Sequence, residues 1–159
     1  MKLVVVAGAA ILLSACATFP TSTTFERKGT WASFQHDENG RSGETVAVLH
    51  DGRVLLLGGS LRTGAPVATA EVFDPRHLTW SAVANMPDAL QGPTATVLAD
   101  GRVLTAGGQG PPPDRRSAGP PVKTATIFDP ATGSWTKVAP MSQAHFFHAA
   151  VLLADGRVM

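Results

Sequence analysis

Residues 124–138 read TATIFDPATGSWTKV, and residues 69–83 read TAEVFDPRHLTWSAV. Each copy holds a short apolar run, a Phe-Asp-Pro turn and a second run that carries tryptophan. A repeated unit constrains a fold more than any single motif, because each copy must bury its apolar face against the next. Two independent markers fix the period. Trp31, Trp80 and Trp135 lie 49 and 55 residues apart. Asp-Gly-Arg occurs at Asp51, Asp100 and Asp155, again 49 and 55 residues apart. The longer period has one source: Gly59 to Phe73 spans 14 residues, while Gly108 to Phe128 spans 20. The extra residues therefore lie in 109–122, between a Gly-Gly pair and Phe-Asp-Pro.

Within each repeat the pattern is that of short strands. Residues 45–49 and 53–57 are apolar runs joined by Asp51-Gly52, and residues 94–98 and 102–106 repeat this around Asp100-Gly101. A third copy begins at residues 149–153, with its turn at Asp155-Gly156. Asp-Gly between two such runs predicts a hairpin with a type I′ turn, which needs positive φ at both central residues. The run Val54-Leu55-Leu56-Leu57 is apolar without alternation, so both faces of its sheet should be covered. Glycine pairs at Gly58-Gly59 and Gly107-Gly108 allow close backbone approach. Trp31, Trp80 and Trp135 are expected to pack between sheets, where a large flat side chain buries the most area.

A period near 50, Gly-Gly after an apolar strand, an aromatic-Asp-Pro and then tryptophan resembles the kelch repeat of β-propellers. Gly58, Gly59, Phe73 and Trp80 carry the resemblance in one repeat; Gly107, Gly108, Phe128 and Trp135 carry it in the next. The usual tyrosine before Asp-Pro is phenylalanine in both. The resemblance implies an all-β fold of four-stranded antiparallel meanders. The expected layout is a half-blade at 25–34, blades at 44–84 and 93–139, and the start of another at 148–159. Two full blades with half-blades make an incomplete propeller, since closure takes about four to eight blades. The chain thus reads as a piece of a longer propeller whose end faces invite association.

Residues 1–15 read as a secretion leader. Lys2 gives a positive start, and residues 3–13 are apolar over a length suited to a leader rather than a membrane span. Leu13-Ser14-Ala15-Cys16 resembles the bacterial lipoprotein cleavage box, which implies that Cys16 is acylated, with palmitate among the attached chains. Cys16 is the one cysteine of the chain, so no internal disulfide can form. Residues 16–24 form a Thr/Ser/Pro-rich tether. The expected location is the bacterial cell envelope, at the outer membrane or cell surface, with the membrane as a partner. Without residues 1–15 the chain has 12 Lys plus Arg against 12 Asp plus Glu. That balance leaves no basic footprint for nucleic acid.

Chemistry is sparse. No nucleophile motif, phosphate loop or catalytic carboxylate pair occurs, and neither an enzyme nor a cofactor is expected. His145-x-x-His148 has metal-like residues, but i and i+3 on a strand point to opposite faces, so the pair would need a turn. No metal site is expected there. Asp74 and Asp129 precede proline, where a carboxylate accepts turn amides. The one stretch foreign to the repeat is QGPPPDRRSAGPP, residues 109–121. Its prolines make a stiff projection, and insertions in repeat folds often carry binding. Arg115 and Arg116 are the candidate contacts to a protein or glycan with acidic groups. The expected function is a membrane-anchored binding module. The alternative is part of a kelch-type sugar enzyme, a mutarotase or oxidase, whose active residues lie outside this chain.

Overall fold

The computed structural model of the chain describes residues 2–6, 31–35, 40–114 and 118–159. The chain divides into two compact units, Met1–Glu38 and Asn39–Met159. In the first, β1 (Lys2–Val6) pairs antiparallel with β2 (Trp31–Gln35), from Lys2↔Gln35 to Val6↔Trp31. The remainder of the leader, Cys16, the tether and residues 25–30 lie outside the described residues. Trp31 therefore lies on a strand whose described partner is Lys2–Val6.

The second unit holds two four-stranded antiparallel meanders. Strands β3 (Thr45–Val48), β4 (Val54–Leu57), β5 (Ala70–Asp74) and β6 (Thr79–Ala82) form the first in sequential order. Strands β7 (Thr94–Val97), β8 (Val103–Ala106), β9 (Ala125–Asp129) and β10 (Ser134–Lys137) form the second. The registers coincide. Val54 opposes Phe73 as Val103 opposes Phe128, and Phe73 opposes Trp80 as Phe128 opposes Trp135. Both aromatic pairs have ring centroids 4.9 Å apart. No helix occurs among the described residues. A third repeat starts with a hairpin closed by Leu152↔Val158 and by bonds between Val151 and Met159. It pairs there through a single bridge and does not extend into a strand.

The Asp-Gly turns differ from the expected type. Gly52, Gly101 and Gly156 have positive φ, but the aspartate before each does not. The amide of Gly52 donates to the carbonyl of Leu49 at 2.9 Å, and that of Leu49 to Arg53 at 2.8 Å. This is a type I turn followed by one left-handed glycine that forms a bulge. The reason is the aspartate. Asp51 Oδ1 accepts the Arg53 amide at 3.0 Å and Oδ2 accepts Arg53 Nε at 2.7 Å, which holds the residue in an ordinary right-handed conformation. The same bonds recur at Asp100–Arg102 and Asp155–Arg157.

The main core lies between the two blades. Alternation along each strand sends Ala47, Leu55, Leu57, Ala70 and Val72 to one face of the first blade, and Ala95, Val97, Val103 and Phe128 to the opposing face of the second. These residues form one apolar cluster, joined by Leu49, Met86, Leu90 and Trp135. Each fully buried Leu or Phe contributes about 1.5–3 kcal/mol. Trp135 adds a direct bridge, its Nε1 donating to the Ala84 carbonyl at 2.7 Å. The apolar run on β4 fits its burial: Leu55 and Leu57 face the second blade, and Leu56, on the opposite face, is buried as well.

Candidate binding face

Antiparallel meanders place their connections alternately at two edges. The turns at 49–53, 74–79 and 98–102 occupy one edge. The β4–β5 and β8–β9 loops, with the segments that cross between blades, occupy the other. This second edge gathers the polar and irregular chain, and it is the candidate site.

Two kinds of backbone contact build it. Within a repeat, the corner leading into the first strand is bridged to the loop after the second: Ser42 to Ser60 and Gln91 to Gln109. Between repeats, the second glycine of each pair donates to the next corner: Gly59 to Leu90 and Gly108 to His145, both at 2.9 Å. The glycines are needed for space as well as conformation. A Cβ on Gly58 would lie 2.5 Å from the Leu90 carbonyl oxygen, and one on Gly107 would lie 2.7 Å from that of His145.

The corners themselves are not repeat text. Aligned on Asp-Gly-Arg, they read Arg41-Ser42-Gly43-Glu44, Leu90-Gln91-Gly92-Pro93 and His145-Phe146-Phe147-His148. In the first, Arg41 is buried and its guanidinium holds the Glu71 carboxylate and the Thr69 hydroxyl. In the third, Phe147 takes φ 53° where Gly43 and Gly92 have 70° and 60°. A left-handed phenylalanine is strained. It is 88% exposed and stacks on Phe146 with centroids 3.8 Å apart. The rings of His145 and His148 lie 5.7 Å apart. His148 Nε2 is 3.5 Å from the Thr94 hydroxyl, and its Nδ1 is enclosed without a hydrogen-bond partner. Burial first, and the neighbouring His145 second, hold the His148 imidazole below its ordinary pKa. His145 and His148 flank a bend at Phe146–Phe147. Among the described residues no group of three or more His, Cys, Asp or Glu is placed to hold a metal ion.

The inserted loop rises from a narrow neck. Val122 donates to Gly108 at 3.0 Å, Gly110 donates to Pro120 at 3.0 Å, and Gln109 is bridged to Pro121. Residues 111–114 and 118–119 lie beyond these bonds. Arg115 and Arg116, the contacts expected from sequence, lie outside the described residues. At the loop's base Lys123 Nζ donates to the Ser142 carbonyl at 2.8 Å. Of the repeat residues, Phe73, Phe128 and all four paired glycines are buried, and Trp80 and Trp135 are half-buried. The strain at Phe147 escaped sequence reasoning, which singled out only His145 and His148 of this corner. Its signal was available: a Phe stands where the aligned repeats have Gly.

Several comparisons bear on this architecture. A fungal alcohol oxidase of the AA5 family, solved in complex with copper, superposes with a TM-score of 0.69 at 24% identity. The similarity covers 82% of this chain and 29% of that one, so the chain spans less than a third of the oxidase. No curated protein matches the sequence. The kelch motif matches residues 42–87 and 92–142, which are the two blades with their corners. By that match, with its two meanders in one register, the chain belongs to the kelch-repeat family.

Proposed function

We propose that the chain is a lipid-anchored binding module of the bacterial cell envelope, whose loop face takes a protein or glycan ligand. One observation carries the reading: the scaffold repeats in register, while the corners and the 109–122 loop on one edge do not. A scaffold of fixed strands with divergent chain at one rim is the arrangement that recognition surfaces use. The rim offers varied chemistry for such contacts. It has the stacked pair Phe146–Phe147, the imidazoles of His145 and His148, and the inserted stretch whose sequence includes Arg115 and Arg116. Two guanidiniums on a proline-stiffened loop suit a carboxylate-bearing glycan or an acidic protein.

Anchoring rests on Leu13-Ser14-Ala15-Cys16. One acyl chain binds a bilayer only marginally, so stable attachment calls for a multiply acylated Cys16. Expressed in a bacterial host with labelled palmitate, the protein is expected to take up label and sediment with membranes, and Cys16→Ala to do neither. For the ligand, calorimetric titration with polygalacturonate and affinity capture from envelope extracts test the rim. Arg115→Ala/Arg116→Ala should weaken either interaction at least several-fold. Unchanged binding in that variant would remove the loop from the proposal.

A second reading draws on the likeness of fold to the alcohol oxidase. The chain would then be part of a kelch-type sugar enzyme, a mutarotase or oxidase, with its active residues elsewhere. Turnover of a sugar or alcohol by this chain joined to a segment that supplies those residues, and none by this chain alone, would favour it over the binding module.

A further inference from the structure

We propose that Asp51 and Asp100 are latent isoaspartate sites, and that the arginine of each turn keeps its site closed while the chain is folded. The two aspartates stand directly before Gly52 and Gly101. Glycine has no Cβ to hinder its own amide nitrogen, so that nitrogen can reach the side-chain carbonyl carbon of the residue before it. In the first step the glycine nitrogen bonds to aspartate Cγ. The amide proton and the carboxyl hydroxyl leave as water, and a succinimide ring forms. Water then opens the ring at either carbonyl. Opening at the side-chain carbonyl restores aspartate. Opening at the main-chain carbonyl leaves isoaspartate, whose backbone runs through Cβ and Cγ and is a carbon longer. Water is the sole co-reactant.

Both reacting groups are held in these turns. Asp100 Oδ1 accepts the Arg102 amide at 3.1 Å, and Oδ2 accepts Arg102 Nε at 2.7 Å. At Asp51 the matching bonds to Arg53 are 3.0 and 2.7 Å. These donors favour the ionised carboxylate, whose oxygen is a poor leaving group, so the electrophile is quenched. The amides of Gly52 and Gly101 donate to the Leu49 and Leu98 carbonyls, both at 2.9 Å, so the nucleophile is engaged as well. Burial does not supply this protection, because both aspartate side chains are 51% exposed. Asp74 and Asp129 offer a contrast within the chain. Each precedes proline, which has no amide proton to lose, so the ring cannot close there. The product would be costly at Asp51 and Asp100. Val48↔Val54 and Val97↔Val103 are the strand pairs beside the two turns, and a longer backbone no longer fits the turn that aligns them.

Ageing of the full chain at neutral pH tests this, with isoaspartate located residue by residue through electron-transfer fragmentation of its peptides. The folded wild type should accumulate isoaspartate at Asp51 and Asp100 at least several-fold more slowly than the same chain in urea. Arg102→Ala alters an exposed side chain, so the variant should fold and keep its β circular dichroism. It should form isoaspartate at Asp100 at least several-fold faster than the wild type, with Asp51 unchanged. Arg53→Ala should do the converse, and it decides the matter if the first variant does not fold. An unchanged rate at Asp100 in folded Arg102→Ala overturns the proposal. So does an equal rise at Asp51 in that variant, which would mean general loosening of the sheet. A folded wild type that isomerises as fast as the unfolded chain overturns it too.

Discussion

Gly58 and Gly52 both have positive φ, 64° and 86°, yet they stand in different surroundings. A Cβ at Gly52 meets nothing within 4 Å, whereas one at Gly58 meets the Leu90 carbonyl oxygen at 2.5 Å and the Met86 methyl at 3.2 Å. Gly52→Ala should therefore cost about 1 kcal/mol, the backbone strain alone. Gly58→Ala adds a backbone collision to that strain and should cost about 3 kcal/mol or more. Urea denaturation of the two variants separates the cases, and equal losses would show that close approach is not what the glycine pair supplies. Residue-scale strain also explains what the sequence left hidden. Phe147 looks like an ordinary apolar residue until its neighbours in register, Gly43 and Gly92, reveal a left-handed site. The buried Arg41 was equally opaque, because its partners Thr69 and Glu71 are about thirty residues on, across the sheet.

At the scale of the element, the Asp-Gly-Arg turn is the unit. The Arg102 side chain first, and its backbone amide second, hold the Asp100 carboxyl below the usual carboxylate range; Arg157 does the same for Asp155. A folded pKa below the unfolded value contributes stability above the unfolded pKa of about 3.9, and that contribution is lost as pH falls through the folded value. The hairpins should loosen on acidification below about pH 4. In a carboxyl-detected NMR titration, Arg102→Ala should move the Asp100 midpoint upward and leave Asp155 in place. An unmoved midpoint would remove the ion pair as its cause. Strand existence and order were legible because apolar runs and Gly-Gly pairs repeat. The turn type was not, because Asp-Gly serves both a type I′ turn and a type I turn with a glycine bulge. The choice falls to side-chain bonds from Asp51 to Arg53 that spacing does not display.

For the whole molecule, stability resides between blades more than within them. Leu55 is enclosed by the second blade, while Leu104, its counterpart one period on, is half-buried. Leu55→Ala should cost about 2–5 kcal/mol, and Leu104→Ala less than half of that. Denaturant midpoints with unchanged slopes would measure both, and similar losses would contradict an interblade core. The family was readable from two markers kept in step. The loop face was readable only in part: the insertion shows as an interruption of the period, but neighbouring corners come together through backbone bonds such as Gly108 to His145. No side-chain pattern records those contacts.

The neck beneath the inserted loop has a practical corollary. Bonds from Val122 to Gly108 and from Gly110 to Pro120 fasten the two stems before the chain leaves the sheet. Whatever is spliced in above them inherits closed ends, and lengthening such a segment adds only a slowly growing entropic cost. Evolution, or an engineer, can exchange that tip for an unrelated peptide while the blades below keep their register.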